Sequence, residues 1–261
     1  ALLYAGTEDG TDQVSRDGGG AWRDVTLNVP GVPKLIYVSR LTPSAFADGT
    51  VYASFDGHRS DDFRPYVYAS TDYRATWRSI AGNLPAGSVY VIKEDPKNQN
   101  LLYVGTEFGL FVTIDRGAHW TRWKGMPTVA VYDLVVHPRD NDLVLGTHGR
   151  SFIVFDDVTP LQQLSPEVPA STAHLFDIAP AVQFHFNENG WFLGGRSFRA
   201  PSRTPGAYIN YYLKAPEKGD VAIAISDASG RLVRGLKGPG AAGFQRVAWD
   251  LGAGPDGAPS T

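Results

Sequence analysis

Short runs of alternating apolar and polar residues, separated by turns rich in glycine and proline, recur along most of the chain. The run LLYAGTE at residues 2–8 returns as LLYVGTE at residues 101–107, with a difference at one position only. Weaker copies lie at residues 50–56 and 142–148. Alternation with a period of two predicts half-buried β-strands, and we find no long amphipathic helical pattern. The sequence therefore predicts an all-β protein built from internal repeats.

Each repeat is expected to contain four strands, except the first, which lacks its opening strand. The predicted strands are residues 34–39, 50–55, 66–70 and 76–80 in the second repeat, 89–93, 101–106, 110–114 and 119–123 in the third, and 131–137, 142–146, 151–155 and 161–164 in the fourth. Units of four strands repeated every 40–50 residues or so are typical of β-propeller blades. We predict about four blades over residues 1–164.

A polar turn of the pattern Ser/Thr-x-Asp-x-Gly-x-x-Trp accompanies the repeats. It is complete at residues 15–22 and 113–120, departs once at residues 70–77, where Arg74 replaces glycine, and is lost in the fourth repeat. An Asp carboxylate accepts hydrogen bonds from turn N–H groups, and a Trp ring buries a large apolar surface. We therefore predict a structural role, not a catalytic one, for six residues: Asp17, Trp22, Asp72, Trp77, Asp115 and Trp120.

These turns resemble the Asp boxes of bacterial-neuraminidase-repeat propellers, a group that includes sialidases, xyloglucan-active hydrolases and the sortilin-type receptor propeller. Residues 56–63, 101–109 and 145–151 further resemble large bacterial proteins described as sortilin-like or glycosyl-hydrolase-like. The resemblance covers roughly residues 1–200. It implies an extracellular or periplasmic protein, of which this chain is the C-terminal part, with its start at Ala1 a processed or truncated end.

The remainder of the chain is expected to form a second, incomplete β region. Residues 165–207 form a linker, with one strand at 174–186 and a long ordered loop at 191–205. Residues 208–261 resemble the start of an immunoglobulin-like sandwich of the flagellar-hook-capping type, in which a Trp-Asp pair such as Trp249-Asp250 recurs. Its predicted strands are 208–214, 220–227 and 245–251, with a hairpin at 227–234. A full sandwich needs about seven strands, so an exposed edge is expected.

The composition and motifs of the chain exclude several classes of partner and chemistry. The net charge is −3 and no Lys/Arg cluster occurs, so a nucleic-acid partner is not expected. The apolar runs have the length of strands, so no membrane span is expected either. With no cysteine, the chain has neither disulfides nor a cysteine nucleophile. Phosphate-binding glycine loops and the Gly-x-Ser-x-Gly motif are also absent.

The loops between the second and third strands of the blades carry the candidate chemistry. Because strands alternate in direction, these loops share one face, together with the links between blades. Glu8, Asp56, Glu107 and His148 occupy equivalent positions in these loops. If the blades surround an axis, these side chains ring one end of it. A loop at residues 56–64 is expected to be the longest of the set.

Two classes of function follow. In the first, the protein cleaves glycosidic bonds with paired carboxylates, Glu107 as general acid and Asp56 or Glu8 as base or nucleophile. Six residues are candidates for binding a polysaccharide or oligosaccharide substrate: His58, Arg59, Arg64, Phe108, His148 and Arg150. In the second, the propeller binds a peptide, protein or glycan without catalysis, as sortilin-type relatives imply. A structural alternative pairs Glu8 and Glu107 with Arg59 or Arg150 across blades.

No cofactor is required by either function. Asp61-Asp62 is a candidate for calcium ligation, although the chain has no Asp-x-Asp-x-Asp-Gly loop. Three and a half blades do not close a propeller by themselves. We expect that a later segment such as residues 174–186 supplies the missing strand, that two chains form a homo-oligomer, or that further blades lie upstream.

Overall fold

The computed structural model describes residues 1–25, 29–183 and 203–253. It is nearly all β, with 42% strand and 5% helix, which confirms the predicted fold class. The chain divides into two compact units, Ala1–Gln162 and Gln163–Thr261. Among the described residues, no helix has the length and apolar character that a membrane crossing requires.

The first unit consists of four antiparallel sheets in which strand order follows the chain. The first sheet contains β1 (Leu3–Gly6), β2 (Asp12–Ser15) and β3 (Arg23–Asp24); the second contains β4 (Tyr37–Pro43), β5 (Val51–Gly57), β6 (Asp62–Ser70) and β7 (Arg78–Ser79). The third contains β8 (Val89–Glu94), β9 (Leu102–Thr106), β10 (Gly109–Thr113) and β11 (Thr121–Arg122), and the fourth β12 (Val131–Val136), β13 (Leu143–Thr147) and β14 (Phe152–Phe155). The second and third sheets thus have the predicted four strands, the first blade begins at its second strand, and the fourth sheet has three strands.

Two local predictions in this unit are wrong. Residues 161–164 do not form a strand, because helix α1 (Thr159–Gln162) takes their place. Pro160 suits the first turn of a helix, and the Asp157 side chain accepts a bond from Thr159 N at 3.2 Å. Residues 56–64 do not form a long loop either. β5 and β6 continue into a short 3₁₀ turn, His58–Ser60, closed by Asp61 in a left-handed conformation with φ of 58°.

The core of the first unit lies between successive blades. One buried cluster joins the second and third blades through Val67, Ile80, Ile92 and Phe111, and another joins the third to the fourth. The inner strands β4 and β8 are also linked directly, because the Ser39 hydroxyl donates to Val89 O at 2.8 Å. Burial of apolar area between blades is therefore the main stabilising contribution.

A buried carboxylate reinforces the joint between the second and third blades. Glu94, at the end of β8, is 6% exposed. It accepts bonds from the Ser44 hydroxyl at 2.8 Å, Ala45 N at 2.9 Å and the Tyr52 hydroxyl at 2.9 Å. Burial, with the adjacent Glu94 charge, raises the pKa of Tyr52, which therefore stays a neutral donor. All three donors belong to the second blade, so Glu94 fixes one blade on the next.

The described residues of the second unit form helix α2 (Glu167–Ala170) and five strands. These are β15 (Ala173–Leu175), β16 (Ala207–Leu213), β17 (Val221–Ser226), β18 (Leu232–Gly238) and β19 (Gly243–Trp249). They form a three-stranded sheet in the order β15-β16-β19 and the hairpin β17-β18. The strand predicted for residues 174–186 ends at Leu175, since residues 176–183 are not in a strand; residues 184–186 and most of the predicted loop at 191–205 lie outside the described residues.

Candidate functional site

The three polar turns share one hydrogen-bonding arrangement. In each, one carboxylate oxygen accepts a bond from the preceding Ser or Thr hydroxyl and another from the backbone N–H four residues later. The second bond is 2.9 Å long from Ala21 to Asp17, from Thr76 to Asp72 and from His119 to Asp115. These carboxylates therefore accept hydrogen bonds within their own turns, and none of them is a candidate catalytic residue.

The bonds also stabilise the ionised form of the carboxylates. The backbone N–H of Ala21 and the Ser15 hydroxyl lower the pKa of Asp17. The hydroxyl and N–H of Thr76 lower the pKa of Asp72. Partial burial alone would raise the pKa of Asp115, but bonds from Thr113 and His119 bring it below its usual value. A carboxylate that accepts several N–H and O–H bonds is expected to titrate low.

The tryptophans of the turns differ in burial. Trp77 and Trp120 are 7% and 4% exposed, and the Trp120 indole donates to Ile80 O of the preceding blade at 2.8 Å. Trp22 is 44% exposed, so the expectation that each ring is buried between neighbouring sheets is wrong for the first blade. The reason is geometric: these rings pack on the preceding blade, and no sheet precedes the first blade in the described part of the chain.

Arg74, the one departure from the turn pattern, joins the first two blades. Its φ is 71°, a left-handed conformation that Gly117 adopts at the equivalent position with φ of 87°. The Arg74 side chain is fully buried, forms an ion pair with the buried Asp12, and donates to Gln13 O at 2.9 Å. A left-handed arginine costs roughly 1–2 kcal/mol of backbone strain, which these contacts between blades offset.

Four aromatic rings form a row on the face that carries the candidate chemistry. Tyr90 and Tyr132 stack with their centroids 4.2 Å apart and their planes 12° apart. His58 meets Tyr90 edge-on at 6.4 Å, and His148 lies 5.4 Å from Tyr132 on the other side. The row, His58–Tyr90–Tyr132–His148, therefore crosses the second, third and fourth blades. Tyr132 is 46% exposed, so the row presents aromatic surface to solvent.

The tyrosines of this row were not predicted from the sequence. Both occupy a bulge at the start of an inner strand, where the pairing shifts between Val89 and Val91 and between Val131 and Asp133. A bulge leaves an extra residue out of the ladder and re-aims its side chain. The sequence signal was the repeated dipeptide Val-Tyr at residues 89–90 and 131–132, which falls at the same point of two repeats.

The candidate carboxylates have different surroundings. Glu8 forms an exposed ion pair with Arg59, with Oε1 and Nη1 2.6 Å apart. Asp56 is 4% exposed and its Oδ2 lies 2.6 Å from His58 Nδ1, while its Oδ1 accepts the His58 N–H at 3.0 Å. Asp56 thus holds the imidazole that begins the aromatic row. The pair between Glu8 and Arg59 is the cross-blade contact that the structural alternative predicted.

Glu107 is half-buried, and its carboxylate makes no hydrogen bond or ion pair with any described residue. The charges of Asp56 and Glu107 both reach the Tyr90 hydroxyl: after burial and the adjacent Tyr132, they contribute to raising the pKa of Tyr90. Asp56 and Glu107 therefore both act electrostatically on Tyr90, whereas Glu8 is paired with Arg59.

The remaining candidates are distributed around this face. Arg64 forms a two-point ion pair with Asp62, at 2.9 and 2.6 Å, and the same carboxylate accepts the Tyr66 hydroxyl at 2.7 Å. Arg64 also lowers the pKa of Asp62, and burial with the bond to Asp62 raises the pKa of Tyr66 to about 12. The Arg64 side chain is thus bonded to a residue of its own strand, β6. Phe108 is 44% exposed and Arg150 is exposed.

Inner strands of alternate blades are linked near the row. Arg40 on β4 and Asp133 on β12 form an ion pair of 2.8 Å that spans β8 between them. Among the described residues, no group of three or more His, Cys, Asp or Glu side chains is arranged to hold a metal ion. Asp62, one of the two calcium candidates, is bonded to Arg64 and Tyr66 as described above.

Successive blades of three or four antiparallel strands, packed one on the next, define this protein as a β-propeller protein. No protein-family model matches the sequence. The oligoxyloglucan-reducing end-specific xyloglucanase of Emericella nidulans is 26% identical over 107 residues, which are 35% of this chain and 13% of that protein. The chain therefore spans a small part of the curated relative that it matches.

Solved structures share the fold. The GH74 xyloglucanase from Xanthomonas campestris has a TM-score of 0.51 and 15% identity over 91% of this chain and 34% of that one. YCF48 bound to D1 peptide has a TM-score of 0.45 and 15% identity over 90% of this chain and 65% of that one. At these identities the similarity to the xyloglucanase supports the β-propeller fold alone, and no conclusion follows from the similarity to YCF48.

Proposed function

We propose that this chain is part of a carbohydrate-active, glycosyl-hydrolase-like propeller that binds an oligosaccharide along the row His58–Tyr90–Tyr132–His148. The observation that carries the proposal is the stacked and partly exposed pair of tyrosines, flanked by an imidazole on each side. Because Tyr90 and Tyr132 cover one face of each other, the row offers mainly ring edges to solvent. The apolar C–H groups of a sugar chain pack along such edges, while its hydroxyls bond to polar groups beside them. His148, Glu107 and the Asp56–His58 pair are such groups.

The xyloglucanase similarity supports this choice of ligand class over a protein partner. The curated relative acts on oligoxyloglucan according to its name, and the structural neighbour with the same named activity shares the fold. The row also has the shape that an extended glycan needs, since it runs across three blades instead of closing around one point. We therefore expect a chain of several sugars, of the xyloglucan kind, and an extracellular or periplasmic protein.

Hydrolysis is a second candidate, favoured by the surroundings of Glu107. Its carboxylate has no bonding partner in the described part of the chain, and it lies with Asp56 in electrostatic reach of Tyr90. A glycosidase needs one carboxyl that can hold a proton and a second that stays ionised. In this chain Glu107 would be the general acid and Asp56 the base or nucleophile, and Glu8 has no part because it is paired with Arg59.

We also propose that the three polar turns are Asp boxes and that the second unit is an Ig-like segment. The repeated bonding of Asp17, Asp72 and Asp115 supports treating the turns as Asp boxes. The two small sheets of the second unit support an Ig-like segment, of which five strands are described.

The experiment separates binding from cleavage. The purified chain is passed over immobilised xyloglucan, and the same protein is incubated with xyloglucan oligosaccharides whose products are read by mass spectrometry. We expect retention that Tyr132→Ala weakens at least fivefold, with Lys97→Ala, at an exposed residue between β8 and β9, as the control. If Glu107→Gln abolishes product formation but preserves retention, hydrolysis is established. Retention unchanged in Tyr132→Ala would contradict the proposed site.

A further inference from the structure

The second blade holds a carboxylate and an imidazole as a fixed pair. The Asp56 side chain is 3% exposed, and its Oδ2 lies 2.6 Å from Nδ1 of His58. Its Oδ1 accepts the main-chain N–H of the same histidine at 3.0 Å. Both oxygens of a buried carboxylate therefore bond to one residue, which holds the imidazole in a single orientation.

The local sequence Asp56-Gly57-His58 builds this pair. Asp56 lies at a bulge, because the pairing of β5 with β6 shifts between Phe55 and Gly57. An Asp side chain that accepts the N–H two residues later closes an Asx turn. A Cβ added to Gly57 would lie 2.8 Å from the main-chain oxygen of Asp62, so glycine allows the chain to turn this closely to β6. The turn is thus fixed by the fold of the second blade and not by a ligand.

The pair determines which nitrogen of His58 can act as a base. An ionised carboxylate only accepts hydrogen bonds, so His58 Nδ1 carries the hydrogen. In a neutral imidazole Nε2 is then the unprotonated nitrogen. Within residues 1–25, 29–183 and 203–253, nothing bonds to this Nε2, and the His58 side chain is 41% exposed. The accessible basic atom of the pair is therefore His58 Nε2, not an oxygen of Asp56.

A second pair of the same kind provides an internal comparison. In the third polar turn, Asp115 Oδ2 lies 2.7 Å from His119 Nδ1, and Asp115 Oδ1 accepts the His119 N–H at 2.9 Å. Here, however, the His119 and Asp115 side chains are 84% and 39% exposed. Water screens such a pair, whereas a buried carboxylate acts on its partner through a lower effective dielectric constant. Burial of the carboxylate therefore distinguishes the Asp56–His58 pair from a surface pair.

The Asp56–His58 pair lies next to a carboxyl that has no bonded partner. The His58 ring meets Tyr90 edge-on, with centroids 6.4 Å apart and planes at 77°. Burial and the adjacent Tyr132 are the main causes that raise the pKa of Tyr90, and the charges of Asp56 and Glu107 add to them. Tyr90 thus remains a neutral phenol in electrostatic reach of both carboxylates. The row brings an imidazole base and the Glu107 carboxyl into one neighbourhood.

We infer that His58 is the catalytic base for glycoside cleavage and that Asp56 is its positioning residue; this inference rests on the proposed function. His58 Nε2 takes a proton from the attacking water, whose oxygen forms the new bond to the anomeric carbon. The bond from that carbon to the glycosidic oxygen breaks, and Glu107 gives its proton to that oxygen. The proton on His58 then returns to the Glu107 carboxylate through solvent. Of the two roles open to Asp56, the base is kept, and His58 supplies its reacting atom.

The orientation of His58 is tested first, in the full chain without any ligand. Nitrogen-15 NMR of the imidazoles, at a pH where they are neutral, reports which ring nitrogen carries the hydrogen. We expect His58 to be protonated on Nδ1 and the exposed His119 to show a mixture of both forms. In Asp56→Asn the amide can donate to Nδ1, which moves the hydrogen to Nε2. His58 protonated on Nε2 in the parent chain, or unchanged in Asp56→Asn, would overturn the role of Asp56.

The catalytic role is tested by kinetics on xyloglucan oligosaccharides. His58→Ala is expected to lower kcat about 100-fold or more with KM unchanged, as loss of a general base does. Added imidazole should restore part of the rate in His58→Ala but not in Asp56→Asn, which keeps its own imidazole in the wrong form. His119→Ala is the matched control and should cleave as the parent chain does. Parent-like kcat in His58→Ala would overturn the inference.

Failure of the inference and failure of the proposed function give different results. A parent chain that cleaves the oligosaccharide, with a kcat that does not depend on His58, contradicts the inference alone. A parent chain that neither retains nor cleaves xyloglucan contradicts the proposed function and, with it, the role of His58 as a base. The NMR measurement still decides in that case whether Asp56 orients the imidazole, because it needs no substrate.

Discussion

Tyr90 and Tyr132 stack face to face at 4.2 Å although they belong to different blades. Each is the bulge residue at the start of its inner strand, so the same irregularity in two repeats directs both rings toward one place. The corresponding bulge in the second blade carries Ser39, which instead bonds to Val89 O. The aromatic surface therefore begins at the third blade, and His58 extends it toward the second.

Arg74→Gly is expected to destabilise the first unit strongly. The substitution relieves a left-handed arginine, but it leaves the Asp12 carboxylate buried without its ion-pair partner. Breaking a buried pair from one side costs about 3–5 kcal/mol, more than the strain that is relieved. Chemical denaturation measures the difference. Arg116→Gly is the matched control, since Arg116 is also left-handed with φ of 56° but exposed. Equal effects of the two substitutions would contradict this account of Arg74.

Glu94→Ala is expected to loosen the joint between the second and third blades. Removing the carboxylate leaves the buried Tyr52 hydroxyl without its acceptor and removes the bond to Ala45 N, at a cost of about 1–3 kcal/mol. Hydrogen exchange should accelerate first at Ala45 and along the inner strands β4 and β8. Glu8→Ala, at an exposed carboxylate, serves as the control and should leave the unfolding midpoint unchanged. A midpoint for Glu94→Ala within error of the parent protein would refute the role.

Asp72→Asn should reduce stability at neutral pH and have little effect in acid. Bonds from Thr76 place the pKa of Asp72 below its ordinary value of 3.8 in the folded state. A lowered folded pKa contributes stability that is complete above the unfolded value and is lost as pH falls through the folded value. The stability difference between parent and variant should therefore shrink below about pH 4. Denaturation midpoints at pH 7 and pH 3 measure it, and a difference that grows in acid would have the wrong sign.

The exposed pair of Glu8 and Arg59 provides a test of which carboxylates matter. Glu8→Gln and Arg59→Gln are expected to leave both the unfolding midpoint and any glycan cleavage unchanged, because the pair is solvent-exposed and neither residue belongs to the row His58–Tyr90–Tyr132–His148. Glu107→Gln should abolish cleavage under the same conditions. Product analysis by mass spectrometry shows whether cleavage depends on Glu8 or on Glu107. Loss of cleavage in Glu8→Gln with cleavage retained in Glu107→Gln would reverse the assignment.

The repeats made the architecture predictable from sequence. Period-two alternation and near-identical runs identified the strands of the second and third blades, because those strands obey local patterning. The segment at 161–164 was mispredicted because its apolar residues suit a strand as well as a helix, and the decisive contact is the local cap between Asp157 and Thr159. Residues 101–106 are buried, whereas residues 2–7, which are near-identical in sequence, are half-buried or exposed. Local sequence therefore does not determine burial, because burial also depends on which neighbouring strand is present.

The candidate site was predictable only in part. The equivalent loop positions of Asp56, Glu107 and His148 follow from the repeats, and the role of these residues stays a prediction; His148 lies 5.4 Å from Tyr132. The structural alternative anticipated the pair of Glu8 with Arg59 of the next blade, whereas nothing in the pattern indicated that Arg64 would bond to Asp62 two residues away. The tyrosines were missed because a bulge, not the strand alternation, determines where their rings point.

The most direct test of the central claim is isothermal titration of xyloglucan oligosaccharide into the full chain and into Tyr132→Ala and Tyr132→Phe. Removing one aromatic ring from a site where nucleic-acid bases stack costs roughly 1–3 kcal/mol of binding free energy. By the same reasoning, the affinity for the oligosaccharide should fall at least fivefold in the alanine variant. The phenylalanine variant keeps the ring and should bind within about twofold of the parent, on the same reasoning. Equal affinity in all three proteins, or no heat of binding in any of them, would contradict the assignment of this row as a glycan site.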